Sequence, residues 1–168
     1  MPTNERTLVK RSDKVAFFGN IGTGTETFNR MRGFSTLSGS KNPMEYSRQY
    51  VDEEFETTDV TGYSPSYEFG FDQYKGDLVH DEMVEILDSE KTGTDARRNI
   101  VIVDFSKESG SGYEAVKREY AIIGDAEGDS MDAYTYSGTL RATGKRITGT
   151  ATLNADNSVA TFTEDASL

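Results

Sequence analysis

Only one stretch of the chain has the spacing of an amphipathic helix, and this constrains the fold more than any other feature. In residues 77–90 the apolar side chains recur at helical intervals and form one stripe: Val79, Met83, Ile86 and Leu87. Asp77 is placed to cap the first turn, and Gly93 is placed to end the helix. Elsewhere, polar and apolar residues alternate, or form short apolar runs, between Gly-rich turns. The sequence therefore predicts a mainly β protein with one helix.

The strand-like segments predict a two-layer antiparallel β-sandwich of seven or eight strands, with the helix packed against its flank. Residues 28–168 contain no linker or internal repeat, so we expect them to form a single domain. Residues 1–27 show no sustained period apart from one short strand at "KVAFF". We expect them to form an arm that is ordered by the surface on which it lies.

The composition excludes several classes of function. The chain has 168 residues, with 18 Lys and Arg against 29 Asp and Glu, which gives a net charge of −11. This is too acidic for a conventional nucleic-acid-binding protein, which must neutralise phosphates. Cysteine is absent, which removes disulfides and zinc thiolates. The longest apolar runs, "VAFF" and "IVIV", are too short to span a bilayer, and the first residues lack the apolar core of a signal peptide. We expect synthesis in the cytoplasm and no association with a membrane.

Candidate catalytic and metal-binding groups are few. His80 is the single histidine. A catalytic serine or cysteine needs a positioned base, and one histidine without any cysteine gives little support for such a pair. We therefore expect His80 to be an exposed helix residue. The segment "DAEGDSMD" begins like a calcium loop, but Ser130 and Tyr136 occupy the positions that require Gly and Glu. The segment "GTGTET" lacks the ending of a phosphate loop. We therefore expect no catalytic residue, metal site or cofactor.

The most unusual stretch, residues 42–74, places carboxylates between aromatic residues. Its acidic run, Asp52 to Asp59, could hold a glycosidase pair, but consecutive acids on a strand point to both faces and single out no pair. Exposed aromatics beside carboxylates are also typical of a carbohydrate-binding module. A third interpretation is a surface that meets other copies of the same chain. The residues alone leave a tube, a shell and a sugar-binding module open.

Longer segments carry a resemblance to a known family. "SKNPMEYSRQYVDEEFETTDVTGYSPSYEFGF", then "VHDEMVEILD", "IVIVDF" and "DSMDAYTYSGTLRATGKRITGTAT" resemble, in this order, the major tail tube protein of long-tailed, non-contractile bacteriophages. The resemblance covers about residues 28–163. It implies a β-sandwich with a flanking helix that forms hexameric rings, in which part of each subunit's sheet continues into its neighbour's.

The same resemblance implies the partners. The rings stack into a tube around a tape-measure protein, between baseplate and tail terminator proteins, and double-stranded DNA passes through without specific binding. The protein would be located in the virion tail after synthesis in the bacterial host cytoplasm. The N-terminal arm, residues 1–27, would then be ordered by neighbouring subunits.

Three sets of residues are assigned roles on this basis. Strand alternation predicts that one acidic set faces the lumen: Asp52, Glu54 and Glu56. Aromatic residues are predicted to cover the sandwich interior or the seams between subunits: Tyr46, Tyr50, Phe55, Tyr67, Phe69 and Phe71. Residues of the arm and of the "GDAEGDSMD" loop are predicted to act in ring stacking: Leu8, Val9, Phe17, Phe18, Asp125 and Asp129.

Two alternatives from other classes remain. A monomeric carbohydrate-binding β-sandwich would bind glycan through a small aromatic patch. An enzyme would lose activity, but keep its fold, when one carboxylate between Asp52 and Asp59 is replaced by its amide.

Overall fold

The computed structural model describes residues 5–19 and 27–165. These residues form eleven strands, one α-helix and short 3₁₀ helices at Arg11–Asp13 and Gly93–Ala96. The strands, in chain order, are β1 Lys14–Gly19, β2 Thr27–Arg30, β3 Phe34–Ser40, β4 Pro43–Arg48, β5 Thr57–Tyr63, β6 Ser66–Asp72, β7 Arg97–Ser109, β8 Gly112–Glu127, β9 Thr135–Ala142, β10 Ile147–Leu153 and β11 Val159–Glu164. The helix, α1, spans Leu78–Asp88.

The chain divides into two compact units. The first, called the barrel unit here, contains the described residues up to Arg32, then Arg97–Glu119, then those from Gly144 onward. The second, called the sheet–helix unit, contains Gly33–Ala96 and Tyr120–Thr143. Strand β8 contributes its first half to the barrel unit and its second half to the sheet–helix unit.

In the barrel unit, neighbouring strands pair in the order β10-β11-β2-β1-β7-β8. The last of these, β8, also pairs with the first, β10, so that the sheet closes on itself. Closure pairs the backbone groups that an open sheet would leave at its edges. The interior holds a cluster of eight buried residues: Phe17, Phe28, Val101, Val103, Ala115, Ala151, Ala160 and Phe162. The period of two along each strand places these side chains on one face, because successive residues point to opposite sides.

Small residues make room for the aromatic rings inside the barrel. Ala151 lies opposite Phe162 in the β10–β11 pair. A Cβ atom added at Gly149 would lie 2.6 Å from Cζ of Phe162 and 2.2 Å from the carbonyl oxygen of Thr163. Since Phe162 is 1 % exposed, its ring fills space that any larger residue at position 149 would need.

In the sheet–helix unit, strands β3, β6, β9 and the second half of β8 form an antiparallel sheet in that order. Phe69 and Phe71 of β6 lie opposite Gly138 and Tyr136 of β9. These residues share the buried face of the sheet, and α1 packs on it. The Phe71 ring centroid lies 4.8 Å from that of His80 on the helix.

Helix α1 begins as the sequence predicts. The Asp77 carboxylate accepts hydrogen bonds from the backbone N–H groups of Val79 at 3.0 Å and His80 at 3.2 Å. This cap satisfies two of the four N–H groups that a helix start leaves without partners. The helix ends earlier than Gly93, because Glu90 adopts the left-handed conformation (φ 51°) and the Lys91 N–H returns to the Ile86 carbonyl at 3.1 Å.

The structure bears on two expectations about organisation. The strand predicted at "KVAFF" exists, but it is no part of an arm: β1 pairs with β2 on one side and with β7 on the other. The described chain is mainly β with one helix, as predicted, and its strands fall in two compact units. The two-layer sandwich and the single domain of residues 28–168 stay predictions. Local patterns predict the strands but not the closure of the sheet, because closure depends on the non-local pairing of β8 with β10.

Candidate assembly surface

Strands β4 and β5 form a hairpin, residues 43–63, that stands apart from the other strands of the described chain. They pair only with each other there, in an antiparallel register that places Tyr46 opposite Asp59 and Arg48 opposite Thr57. Residues 43–61 are all exposed. A two-stranded hairpin without a packed face is marginally stable alone, so its own hydrogen bonds must hold its shape.

The base and the tip of the hairpin are both hydrogen-bonded. At the base, the Asn42 amide donates to the Ser64 carbonyl at 3.0 Å and to the Ser66 hydroxyl at 3.0 Å. At the tip, the Gln49 amide donates to the carbonyl oxygens of Glu53 and Glu54, both at 3.2 Å. These bonds favour one conformation of the hairpin, although residues 43–61 remain exposed within the described part of the chain.

The hairpin carries large apolar side chains in solvent. Val51 is fully exposed and Phe55 is 79 % exposed. The others that are roughly half exposed are Met44, Tyr46, Tyr50, Val60 and Tyr63. Arg48 donates to the Tyr46 hydroxyl at 2.9 Å and lies 6.0 Å from the centroid of the Tyr50 ring. Concentrated exposed apolar area of this kind, surrounded by charge, is typical of a surface that another protein covers.

The structure separates the six predicted aromatic residues into two groups. Tyr67, Phe69 and Phe71 belong to β6; the two phenylalanines are 2 % and 1 % exposed and face α1. Tyr46, Tyr50 and Phe55 are exposed on the hairpin. Phe69 and Phe71 are therefore core and Tyr67 is half-buried, whereas the second group is available for contact with another molecule. Periodicity indicated which residues share a face of a strand but not which strands have a covering layer.

The three acids predicted to face a lumen lie together at the hairpin tip. Asp52, Glu54 and Glu56 occupy the connection between β4 and β5, where no strand alternation fixes their direction. All three are exposed.

Sequence reasoning missed a second polar surface, on the sheet–helix unit. Glu68 and Asp72 of β6 point to the face of the sheet opposite α1, since they alternate with the buried Phe69 and Phe71. Hydroxyl residues lie directly beside them: Ser38 and Thr139 flank Glu68, and Thr135 flanks Asp72. This face, called the hydroxyl-rich face below, is recognisable in the alternation of "SYEFGFD".

The predicted ring-stacking residues have mixed positions. Phe17 and Phe18 are 0 % and 1 % exposed, in the core of their own chain, so they offer nothing to a neighbouring ring. Leu8 and Val9 are 84 % and 51 % exposed, before β1. Asp125 and Asp129 are exposed at the end of β8 and in the loop after it.

His80 is buried, at 0 % exposure, and not an exposed helix residue as predicted. Its Nδ1 accepts a hydrogen bond from the Tyr74 N–H at 3.0 Å, and its ring packs near Phe34, Phe71 and Tyr74. The segment before α1 folds back over the helix, and that contact has no local signal in the sequence. His80 therefore has a packing role in the core.

One tyrosine in the sheet–helix unit has a strongly shifted acidity. Burial raises the pKa of Tyr136 to about 12, and the nearby Asp88 carboxylate adds to the shift, since it accepts the Tyr136 hydroxyl at 3.2 Å. Both effects favour the protonated phenol. The pair links β9 to the last residue of α1 as a structural contact.

Within the described ranges, no three His, Asp or Glu side chains are grouped so that they could hold a metal ion, the "DAEGDSMD" loop included. Among the described helices, none has the length and apolar character needed to cross a membrane.

Comparison with known proteins indicates the fold class. No protein-family model matches the chain, and no curated protein matches it. Among solved structures, the hybrid NMR and cryo-EM structure of the SPP1 tail tube superposes with a TM-score of 0.60, over 85 % of this chain and 80 % of that chain, at 17 % identity. A chain of the anti-feeding prophage baseplate superposes with a TM-score of 0.50, over 86 % of this chain and 97 % of that one, at 14 % identity. The chain therefore has a phage tail tube fold, as its sequence resemblance predicts.

Proposed function

We propose that this chain is a structural subunit that assembles with copies of itself into the tail tube of a long-tailed phage or of a phage-derived particle. The observation that carries the proposal is the hairpin at residues 43–63, which holds a defined shape while its apolar side chains remain in solvent. A tail tube fold supplies the reason for such a surface, since every subunit of a tube must be covered by others.

In the form that the sequence resemblance implies, six copies form a ring, and rings stack around a tape-measure protein between baseplate and tail terminator proteins. The assembled protein would belong to the virion tail after synthesis in the host cytoplasm. This role is structural and uses neither a catalytic group nor a cofactor.

The hydroxyl-rich face fits a wall beside passing DNA. It presents Glu68 and Asp72 among serine and threonine side chains, which interact well with water. Six copies at −11 each would give a ring a formal charge of −66. A negative wall repels phosphate over about one Debye length, roughly 8 Å at physiological ionic strength, so double-stranded DNA would pass without binding.

The exposed hairpin also offers a direct test. We expect replacement of its most exposed apolar residues, Val51→Ser with Phe55→Ser, to leave the fold intact and to weaken self-assembly. The matched control is Leu78→Ser with Met131→Ser, because these residues are 68 % and 99 % exposed but lie outside the hairpin. Thermal unfolding checks the fold, and sedimentation velocity over a concentration series measures assembly.

Two results would count against the proposal. If wild-type protein stays monomeric at every concentration and binds glycan through Tyr46 and Tyr50, the chain is a carbohydrate-binding module. If the hairpin variant and the control assemble equally well, the hairpin is not the surface on which assembly depends.

A further inference from the structure

The charge of the chain is unevenly distributed between its two units. The described residues of the barrel unit include 13 Lys and Arg against 9 Asp and Glu, a formal charge of +4. The sheet–helix unit has 5 Lys and Arg against 19 Asp and Glu, a formal charge of −14. Together with Glu26, which lies outside the described residues, these values give the −11 of the whole chain. The acidic surplus therefore belongs entirely to one unit.

The hairpin concentrates part of that negative charge on the apolar surface. Residues 43–63 contain six acids and one arginine, a formal −5. The tip residues Glu53, Glu54 and Glu56 are exposed beside Val51 and Phe55. A partner for this surface must offer both apolar contact and positive charge.

The barrel unit offers exposed positive side chains. Lys145 and Arg146 lie side by side in the turn between β9 and β10, and Arg6 lies in the exposed stretch before β1. None of these three forms an ion pair with another of the described residues. Leu8 and Val9, exposed next to Arg6, add apolar area to the same stretch.

We propose that the hairpin of one copy docks on the barrel unit of a second copy, with attraction between acidic hairpin and basic barrel unit setting the strength of assembly. This inference rests on the proposed self-assembly and adds its partner surface and its dependence on ionic strength. It assigns Glu54 and Glu56, and with them Asp52, to a contact between subunits and not to the lumen.

The direction of the salt effect distinguishes attraction between hairpin and barrel unit from net repulsion between the negatively charged copies. Opposite charges in contact attract less as salt rises, because the Debye length falls from about 10 Å at 0.1 M to about 3 Å at 1 M. Assembly should then weaken with salt. If the net charge of −11 on each copy dominates, copies repel one another and salt should strengthen assembly.

The experiment compares two triple variants with the same net charge of −8. One carries Glu53→Gln, Glu54→Gln and Glu56→Gln in the hairpin. The control carries Asp81→Asn, Glu85→Gln and Glu90→Gln, which remove three exposed acids on α1 or just after it, in the same unit. Sedimentation velocity of wild type and both variants, in 0.1 M and 1 M NaCl, gives the concentration at which half of the protein has assembled.

We expect this concentration to rise by roughly tenfold for the hairpin variant at 0.1 M NaCl, since each accessible ion pair contributes about two- to fivefold in affinity. It should rise in wild type when salt is raised, and the control should assemble at least as well as wild type. If salt promotes wild-type assembly and both variants assemble more readily, repulsion governs and the docking inference is overturned, while self-assembly stands. A wild type that never assembles overturns the proposed function itself.

Discussion

Replacing Gly138 by alanine should destabilise the sheet–helix unit strongly, because β9 has no room for a methyl group there. Gly138 lies between Phe69 of β6 and Gly124 of β8. A Cβ atom at this position would be 2.1 Å from the carbonyl oxygen of Ile123 and 2.9 Å from Cζ of the Phe69 ring. The first neighbour is backbone and cannot rotate away, so β8 would have to shift.

Overpacking a core typically costs about 1–3 kcal/mol, and movement of a central strand places Gly138→Ala near the upper end. For a chain of this size, 1 kcal/mol shifts Tm by about 2–4 °C, so we expect a fall of about 6–12 °C. Thermal unfolding followed by circular dichroism measures it, at a protein concentration low enough to avoid assembly, which would raise Tm by mass action.

The matched control is Gly70→Ala on the neighbouring strand β6. Its added Cβ would meet Thr36 at 3.6 Å, which is an ordinary contact, and Gly70 does not adopt a positive φ. Alanine there restricts the unfolded chain and should leave Tm unchanged or raise it slightly. Equal Tm values for Gly138→Ala and wild type, or an equal loss in both variants, would refute the reasoning from close approach.

Three further changes test contacts around α1. Asp77→Ala should cost about 1 kcal/mol in the free energy of unfolding and Asp77→Ser much less, as urea titration would report, because the serine hydroxyl can still cap the helix. His80→Phe should cost about 1–3 kcal/mol by the same titration, since the Tyr74 N–H loses its acceptor in a part-buried site. A stability equal to wild type would contradict that hydrogen bond. Wild type should lose stability as pH rises from 10 to about 12, because the folded state holds the Tyr136 proton through this range and the unfolded state releases it. Melting temperature should fall less steeply with pH in Tyr136→Phe than in wild type. An identical decline in the two proteins would remove Tyr136 as its cause.

Local patterns predicted the local elements. The Asp77 cap and the apolar stripe of α1 are both present, because each depends on residues close together in sequence. The end of α1 was missed, since the left-handed residue is Glu90, a type that rarely adopts this conformation, and a glycine nearby was the stronger signal.

The non-local features were not predictable in the same way. Burial of Phe17 and Phe18 requires β1 to lie between β2 and β7, and β7 begins about eighty residues later in the chain. Burial of His80 requires the Tyr74 segment to fold over the helix. The hairpin residues Tyr46 and Phe55 have the same residue types as core aromatics, and only the absence of a covering layer within the described chain distinguishes them.

Electron microscopy of the purified wild-type protein, in negative stain over a series of rising concentrations, tests the central claim most directly. At about 0.1 M NaCl we expect closed rings or hollow tubes, which should be lost or reduced in the Val51→Ser, Phe55→Ser variant at equal concentration. A wild type that remains a uniform population of single subunits at all concentrations, while retaining its folded circular dichroism spectrum, would contradict self-assembly as the function of this chain.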